Sequence, residues 1–347
     1  MTGIIARYHS WLDLPDLEPV TLGEGMTPLI GWGHWGQSDI FLKLEGSNPT
    51  GSFKDRGMTV AVSVARHQGA EAVICASTGN TAASAAAYAA RAGMLALVVM
   101  PDGQVAEQKI LQSRVHGAIL VSLDGNFDHA LAEVRRAAAQ NSKLALVNSV
   151  NPWRLRGQET GAYEVVDALG HAPAALVLPV GNAGNISAYF HGFRRYQHGV
   201  PQMFGIQAAG ASAMVQGRDI DEPHTIATAI RIGKPASRHL AEEAVTQSRG
   251  AFLGVSDEEI LLAQKELAHG GVFAEPASAT AYAGLKRLRE QNRLPAGPVV
   301  VVLTGNGLKD ATTPLSWATS RQYRVCAEEI DGLFAKVLDE AESHVAH

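Results

Sequence analysis

From residue 40 to residue 303 the sequence alternates between short β-prone runs and longer, alanine-rich segments of helical length. This alternation is typical of βα units on a mostly parallel sheet, and it predicts the α/β fold class. Several of the β-prone runs are almost entirely apolar, as is typical of parallel strands buried on both faces. The predicted strands are Ile40–Leu44, Ala72–Cys75, Leu95–Met100, Ile119–Leu123, Leu144–Val147, Leu176–Pro179, Met203–Gln207 and Val299–Leu303.

The length and charge of the chain bear on the number of domains and on the partners that it can bind. The 347 residues predict two domains, at roughly 100 to 200 residues per domain. Lysine and arginine number 29 against 34 for aspartate and glutamate, a net charge of −5, which disfavours nucleic acid as a partner. No apolar run approaches the roughly 20 residues that cross a bilayer, and Arg7, His9 and Asp13 interrupt the N-terminal stretch that a secretory signal would need. A cytoplasmic protein without membrane partners is expected.

Three segments carry local structural signals. Ser256 and Glu259 form an S-x-x-E capping box, which predicts a helix reaching about Ala268. Residues 330–341 repeat apolar side chains at helical spacing and predict an amphipathic C-terminal helix. Its polar face is acidic, which favours docking onto protein over a membrane. Residues 210–235 have weak periodicity and predict a surface loop.

The cysteines and histidines indicate neither a disulfide framework nor a metal site. Cys75 and Cys326 are far apart in sequence and belong to no CxxC pair, so both are expected to be small, buried apolar residues. The 13 histidines show no HxxxH or HxH spacing. No metal is predicted.

The densest chemical signal lies in residues 43–58, KLEGSNPTGSFKDRGM, which predict a strand end, a turn and a helix capped by Ser52. Lys54 then falls in the first helical turn, where a cation opposes the helix dipole at a cost of about 0.3–1 kcal/mol. The same field lowers the pKa of an amine, as a lysine that forms a Schiff base requires. The segment indicates an activated lysine, although a first-turn lysine taken alone is more often simply solvated.

Two further loops follow predicted strands and precede predicted helices. Residues 76–84, ASTGNTAAS, offer hydroxyl groups and backbone N–H groups at a helix start, an arrangement that binds carboxylates and other anions. In residues 178–186, LPVGNAGNI, Gly181 and Gly184 let the backbone come close to a phosphate. Ordinary βα turns also use Gly and Asn, so each loop is weak on its own. GxGxxG and GxxxxGK[ST] are both absent, which disfavours dinucleotide binding and nucleotide hydrolysis.

Together these segments resemble the threonine synthase family, within the fold type II group of pyridoxal 5′-phosphate (PLP) enzymes. The matching stretches follow the family's order along nearly the whole chain: LGEGMTPL (22–29), KLEGSNPTGSFKDRGM (43–58), ASTGNTAASAAAYAARAG (76–93), NSVNPWRLRGQET (148–160), PVGNAGNISAY (179–189), EPASATAYAG (275–284) and LTGNGLKD (303–310).

The resemblance implies an architecture of two doubly wound open α/β domains with PLP in the cleft between them. A large PLP-binding domain would comprise residues 1–58 and 146–347. A smaller mobile domain, residues 59–145, would close over the substrate. A homodimer is usual for the group.

The motif positions also imply residue roles. Lys54 matches the lysine that carries PLP, Asn80 the residue that hydrogen-bonds the 3′-oxygen of PLP, and Thr304 the hydroxyl that faces its pyridine nitrogen. The loop matching the one that binds the cofactor phosphate comprises Gly181, Asn182, Ala183, Gly184 and Asn185. The candidates for the substrate carboxylate are Ser77, Thr78 and Thr81. The candidates for a second phosphate, that of the substrate, are Asn148, Ser149 and Arg154, with Asn182 nearby.

The implied reaction converts O-phospho-L-homoserine and water to L-threonine and phosphate by γ-elimination and β-addition, with Lys54 as the base. Two alternatives stay open: a PLP-dependent threonine or serine ammonia-lyase, which needs no second phosphate site, and a PLP-binding protein without activity. Glu275 in the EPAS motif is either a catalytic carboxylate or a hydrogen-bond acceptor at a cap or loop.

The chain departs from the family pattern at two places. The family often has RLEGQKT where this chain has Arg156 and Glu159 in RLRGQET, which exchanges the signs of two charges. The exchange is compensating if the two side chains pair. Asn306 stands where histidine is common.

Overall fold

Two β-sheets, with helices between most successive strands, organise the computed structural model, which describes residues 2–102, 107–125 and 127–345. The strands are β1 (Leu29–Trp35), β2 (Ser38–Leu44), β3 (Ala72–Ala76), β4 (Leu95–Pro101), β5 (Ile119–Leu123), β6 (Leu144–Leu146), β7 (Ala175–Pro179), β8 (Gln202–Ala208), β9 (Ala251–Val255) and β10 (Gly297–Leu303). The α-helices are α1 (Ile4–Leu12), α2 (Lys54–His67), α3 (Asn80–Ala92), α4 (Glu107–Val115), α5 (Phe127–Gln140), α6 (Pro152–Gln158), α7 (Thr160–Leu169), α8 (Gly184–Tyr196), α9 (Ala213–Gln216), α10 (Arg238–Gln247), α11 (Asp257–His269), α12 (Pro276–Glu290), α13 (Thr312–Leu315) and α14 (Ile330–Val345).

The larger sheet has the strand order β1-β2-β10-β7-β8-β9, and the smaller has β5-β4-β3-β6. All neighbouring strands are parallel except β1, which pairs antiparallel with β2. Both sheets carry helices in their crossovers, so the α/β fold class is confirmed. Because β2, β10 and β7 are parallel neighbours, their carboxyl ends meet at one edge of the larger sheet.

Apolar packing covers both faces of the larger sheet. Along β10, Val300 and Val302 join one buried cluster, while Val299 and Val301 join another. Since successive residues of a strand point to opposite faces, a strand covered on both sides has to be apolar throughout. This explains why the central strands were visible in the sequence as uninterrupted apolar runs.

All eight predicted strands are present, with ends that differ by a few residues. Strands β1 and β9 and helix α1 were missed. The β1 sequence, LIGWGHW, contains Gly31 and Gly33, which are typical of turns, and its register with β2 shifts between these glycines. The Ser256 capping box is present at the start of α11, which ends at His269.

The chain divides into two compact units, residues 1–311 and residues 312–347. Both sheets belong to the first unit. The second contains the predicted C-terminal helix as α14, whose Phe334 and Leu338 are exposed.

Cys75 is buried on β3 as expected, but Cys326 is exposed, so the expectation of burial was wrong for it. Across the described ranges, no helix combines the length and apolarity needed to cross a membrane.

A buried ion cluster fixes the start of α2 relative to the larger sheet. The Arg56 guanidinium lies 2.7 Å from Glu45, at the end of β2, and 2.6 Å from Glu164 on α7. Glu164 also accepts from Lys43 at 2.7 Å, and Thr27 bonds both Glu45 and Arg56. Burial opposes the charge on Arg56, but Glu164 and Glu45 raise its pKa well above the ordinary value. Two cations therefore balance two carboxylates inside the protein.

Replacing Arg56 with Met should lower the free energy of unfolding by about 3–5 kcal/mol, because two buried carboxylates lose a partner. The matched control is Arg66→Met, in the last turn of α2, where Arg66 forms an ion pair with the exposed Glu18. It should cost at most about 1 kcal/mol. Urea unfolding followed by circular dichroism measures both, and equal losses in the two variants would contradict the role given to the cluster.

Candidate active site

The segments that follow β2, β10 and β7 lie side by side at the carboxyl edge of the larger sheet. The residues before α2 are joined to the residues after β10: Ser52 forms a β-bridge with Gly305, and the Phe53 N–H donates to the Thr304 carbonyl at 3.0 Å. Two contacts then reach α3 of the smaller sheet's layer, from Asp55 and from Glu275. The sequence motifs from both sheets thus meet in one place.

Lys54 is the first residue of α2, but the predicted cap was wrong. The N-cap is Phe53, in helical conformation, and it makes no side-chain cap. The Ser52 hydroxyl is buried without a hydrogen-bond partner. The turn is held instead by Asp55, whose carboxylate accepts from the N–H and hydroxyl of Thr50 at 2.7 and 2.6 Å and from Ser84 at 2.6 Å. A buried carboxylate next to Lys54 therefore anchors this loop to α3.

The environment of Lys54 makes its amine easier to deprotonate than that of an ordinary lysine. Burial lowers the pKa of Lys54 to about 8, and the charges of Arg154 and Lys309 lower it as well, while Glu275 opposes them. The direction agrees with the sequence argument, but desolvation, rather than the helix dipole, is the largest cause. At pH 7 about one-tenth of a group with such a pKa is deprotonated, far more than for an ordinary lysine.

Asn80 and Glu275 come together from the two sheet layers. Asn80 begins α3, and its Nδ2 donates to the two carboxylate oxygens of Glu275 at 3.1 and 3.2 Å. Both side chains are buried. Burial raises the pKa of Glu275, although the charge of Lys54 and the bond from Asn80 act in the opposite direction. Glu275 is the N-cap residue of α12 but makes no capping bond, so its carboxylate belongs to the site.

The Gly181–Asn185 loop joins β7 to the start of α8. Ala183, the N-cap of α8, has a positive φ of 67° and makes no side-chain cap, and the first N–H groups of a helix have no partner within it. Both polar atoms of the Asn185 amide are buried without a partner. Unpaired donors at the positive end of a 13-residue helix suit a phosphate, so the loop fits the phosphate of PLP.

A segment predicted to be surface loop packs against this phosphate loop. A Cβ on Gly181 would lie 3.0 Å from the Cα of Ile230, and the Asn182 carbonyl accepts from the Ser237 N–H at 3.1 Å. Ala227 and Ile230 are buried. The expectation that residues 210–235 run over the surface was therefore wrong for residues 227–230, which pack against the phosphate loop.

The remaining predicted cofactor and carboxylate residues lie on neighbouring turns. Thr304 is buried directly after β10, with its hydroxyl 3.1 Å from that of Ser278. The Ser77 hydroxyl accepts from the N–H groups of Gly79 and Ala82 at 3.2 and 3.3 Å, so it shapes the turn before α3. The partly exposed residues of this turn are Thr78 and Thr81.

Arg154 is a buried cation without a counter-ion. Its guanidinium is 1% exposed, one nitrogen donates to the Val147 carbonyl at 3.1 Å, and Nε has no partner. Among the described residues no carboxylate lies within ion-pair distance of it. Burial lowers the pKa of Arg154 to about 10, which still leaves it charged at pH 7. A buried charge of this kind is costly unless an anion pairs with it.

The other two predicted ligands of the second phosphate, Asn148 and Ser149, differ in their hydrogen bonds to the rest of the protein. The Asn148 amide accepts from the Ala76 N–H at 3.1 Å and donates to the Ala76 carbonyl at 2.9 Å, so it mainly ties the end of β6 to β3. Ser149 is half-buried, and its carbonyl lies 4.0 Å from where a Cβ on Gly184 would stand. Arg154 is therefore the strongest candidate for the second phosphate.

The exchanged charges of Arg156 and Glu159 do pair, with the two side chains 3.3 Å apart, so the exchange is compensating.

One residue of the site, Lys309, was not identified from the sequence. Lys309 is half-buried, donates to the Thr50 carbonyl at 2.9 Å and contacts the side-chain oxygen of Gln112 on α4. A lysine in the LTGNGLKD motif was the available signal, but its partners are more than 190 residues away in sequence.

We expect the Lys54 amine of the cofactor-free protein to react with an amine-selective acylating reagent with a midpoint near pH 8, because burial disfavours its charged form. The modification can be followed at this residue by peptide mass spectrometry across pH 6 to about 11. The Lys54→Ala variant supplies the blank. A midpoint near 10.5, the ordinary value, would contradict the assignment of a buried, activated amine.

Comparison with known proteins agrees with this geometry. The sequence pattern of the family described as pyridoxal-phosphate dependent enzyme matches residues 20–305. Threonine synthase of Halalkalibacterium halodurans is 50% identical over 90% of this chain and 91% of its own length. Threonine synthase of Mycobacterium tuberculosis is 52% identical over 90% of both chains, and that of Methanocaldococcus jannaschii is 46% identical over 88% of this chain and 80% of its own.

Solved structures with the same fold include threonine deaminase isoform 2 from Solanum lycopersicum, with a TM-score of 0.71 at 22% identity over 84% of this chain and 88% of that one. Maize serine racemase also has a TM-score of 0.71, at 19% identity over 92% and 94% of the two chains. At these identities the likeness establishes the fold alone. The family match and the curated relatives go further: the chain belongs to the family of pyridoxal-phosphate dependent enzymes and, within it, to the threonine synthases.

Proposed function

We propose that this protein converts O-phospho-L-homoserine and water to L-threonine and phosphate, with PLP as its cofactor. The observation that carries the proposal is Arg154, a buried guanidinium that has no counter-ion among the described residues, in addition to the phosphate loop before α8. A PLP enzyme acting on an unphosphorylated amino acid needs one phosphate site, for the cofactor. A second anion site fits a substrate that brings its own phosphate.

The residues that would hold PLP form a consistent set. Lys54 would carry the cofactor, and the Gly181–Asn185 loop would bind its phosphate. Asn80 would hydrogen-bond the 3′-oxygen of the ring, and Thr304 would face the pyridine nitrogen. Bound PLP supplies an electrophilic carbon for amines and a ring that withdraws electrons from the substrate carbons. The roles of the protein groups then follow from their charge and position.

Lys54 is the proton carrier of the proposed reaction. Its neutral amine can take the proton from Cα of the substrate, and as a cation it can return a proton to a neighbouring carbon. The burial that lowers its pKa keeps a usable fraction of the amine neutral near pH 7. The Thr78 and Thr81 turn would hold the substrate carboxylate at the start of α3, so that Cα faces the amine.

Arg154 would bind the phosphate at Cγ and neutralise the charge that develops when the phosphate leaves. A planar guanidinium matches two phosphate oxygens at once and stays charged throughout the reaction. Water would then add at Cβ. Keeping the released phosphate on Arg154 would leave a basic group beside the carbon to which water adds.

Residues 59–145 are proposed to form a smaller domain that closes over the substrate. The separate four-stranded sheet, with β3, β4 and β5 in this segment, supports the proposal. Three contacts join the segment to the rest of the chain: Asn80 with Glu275, Ser84 with Asp55, and Gln112 with Lys309. Each lies at the site, so a movement of the smaller sheet would open or shield it. Closure would exclude bulk water, which otherwise diverts reactive intermediates.

A homodimer, usual for this group of enzymes, and a cytoplasmic location are further parts of the proposal. A phosphorylated amino acid does not cross membranes unaided, so the enzyme has to share a compartment with the source of its substrate. Neither nucleic acid nor a membrane partner is needed.

The test is inorganic phosphate release from O-phospho-L-homoserine by the PLP-loaded protein, with the amino acid product identified in the same reaction. We expect threonine and phosphate in equal amounts. Arg154→Met should lower kcat/KM by about 10²–10³-fold, because a buried charged partner of the phosphate is removed. The matched control is Arg156→Met on the same helix, which pairs with Glu159 and Asp13 and should change kcat/KM by less than about threefold.

The products decide between this proposal and its alternatives. Appearance of 2-oxobutanoate and ammonia from threonine, without threonine formation from the phosphorylated substrate, would identify an ammonia-lyase. An Arg154→Met variant as active as Arg156→Met would remove the second phosphate site from the mechanism.

A further inference from the structure

Glu275 stands at the start of a helix, yet its side chain bonds to a residue of another element and not to its own helix. It is the N-cap residue of the 15-residue helix α12, and its side chain makes no hydrogen bond to the first turn. By contrast, Ser256 caps α11 through its hydroxyl, with Glu259 closing the box. An N-cap bond contributes about 1 kcal/mol, so α12 forgoes this stabilisation. The carboxylate is directed into the active site instead.

The surroundings of Glu275 are built to receive a carboxylate there. A Cβ on Gly305 would lie 2.2 Å from Glu275 Oε1, so only glycine leaves room at that residue. The charged groups facing the carboxylate are Lys54 on α2, and Lys309 and Asp310 in the segment after β10. Asn80, from α3, donates to both oxygens. Elements separate in sequence thus converge on one buried side chain.

We propose that Glu275 is a positioning residue of the active site: it fixes the orientation of the Asn80 amide towards the cofactor. This inference rests on the proposed function, since it assigns work at the PLP site. The carboxylate positions Asn80 through a hydrogen bond, and it also places a negative charge near Lys54. The two can be separated by substitution.

The hydrogen bond determines which end of the Asn80 amide faces the cofactor. A carboxylate accepts only, so it selects the Nδ2 group and excludes Oδ1. One N–H of Nδ2 is then used by Glu275, and the other is left for the ring oxygen of PLP that the resemblance assigns to Asn80. Without Glu275 the amide can rotate by 180° and present an acceptor to that oxygen, which would repel it.

The charge acts on Lys54. A nearby carboxylate stabilises the protonated amine, whereas burial, Arg154 and Lys309 favour the neutral one. Removing the negative charge should therefore move the Lys54 titration to lower pH. Glu275→Gln and Glu275→Met both remove the charge, but only glutamine keeps an oxygen that accepts from Asn80.

The charge is tested in the cofactor-free protein by the acylation of Lys54. Both Glu275→Gln and Glu275→Met should shift the midpoint down by about 0.5–1 pH unit. The control is Ser256→Ala, which should lose about 1 kcal/mol of unfolding free energy with no change in this midpoint. A midpoint unchanged in Glu275→Gln, or raised, would overturn the role of the charge.

The hydrogen bond is tested by titrating each variant with PLP and following visible absorbance. Glu275→Met should bind PLP about tenfold more weakly, and Glu275→Gln should bind like the wild type. Asn80→Ala should resemble Glu275→Met, and the double variant should bind like Asn80→Ala because one interaction is lost in both. Wild-type affinity in Glu275→Met, or additive losses in the double variant, would overturn the positioning role.

These readouts are independent of the overall reaction. Wild-type protein that binds PLP but forms no threonine would contradict the proposed function, while the affinities and midpoints of the Glu275 variants would still decide the role of Glu275. Conversely, suppose that the wild type forms threonine and that the Glu275 variants have wild-type PLP affinities and Lys54 midpoints. The proposed function would then stand, and the role given to Glu275 would be rejected.

Discussion

The buried pairing of Arg56 with Glu45 and Glu164 is the interaction on which the active site depends. Two cations and two carboxylates taken out of water are stable only when every charge meets its partner, since a single missing partner costs several kcal/mol. The backbone N–H groups of residues 26 and 27 also donate to Glu164. This leaves one position for α2, and Lys54, two residues before Arg56, is placed with it.

The parallel sheets explain why the functional loops meet. Each parallel strand ends at the same edge as its neighbour, so loops far apart in sequence become adjacent there. The two anion sites proposed for this edge differ in the groups that they offer. The loop before α8 offers backbone N–H groups and a helix end, which suits a phosphate that stays bound. Arg154 offers a full charge, which suits a phosphate that has to be recognised, released and replaced in every cycle.

Sequence patterns predicted the parts of the fold that are governed by local chemistry. The apolar strands and the Ser256 cap are read from neighbouring residues, and each was found. The features that were not predicted depend on distant partners: Asn80 and Glu275 are 195 residues apart, and Ser52, predicted to cap α2, forms a bridge with Gly305 instead. Strand β1 was not predicted because its glycine-containing sequence does not favour a strand, and it becomes one by pairing with β2.

Charge coupling between Arg154 and Lys54 links phosphate binding to proton transfer. In the free protein, the Arg154 charge lowers the pKa of Lys54. A phosphate on Arg154 neutralises that field, so the amine becomes a stronger base when the substrate is bound. Departure of the phosphate restores the field and favours release of the proton that Lys54 has taken up. In the proposed reaction, the buried guanidinium that would select the substrate would therefore also set the basicity of the lysine before and after the phosphate leaves.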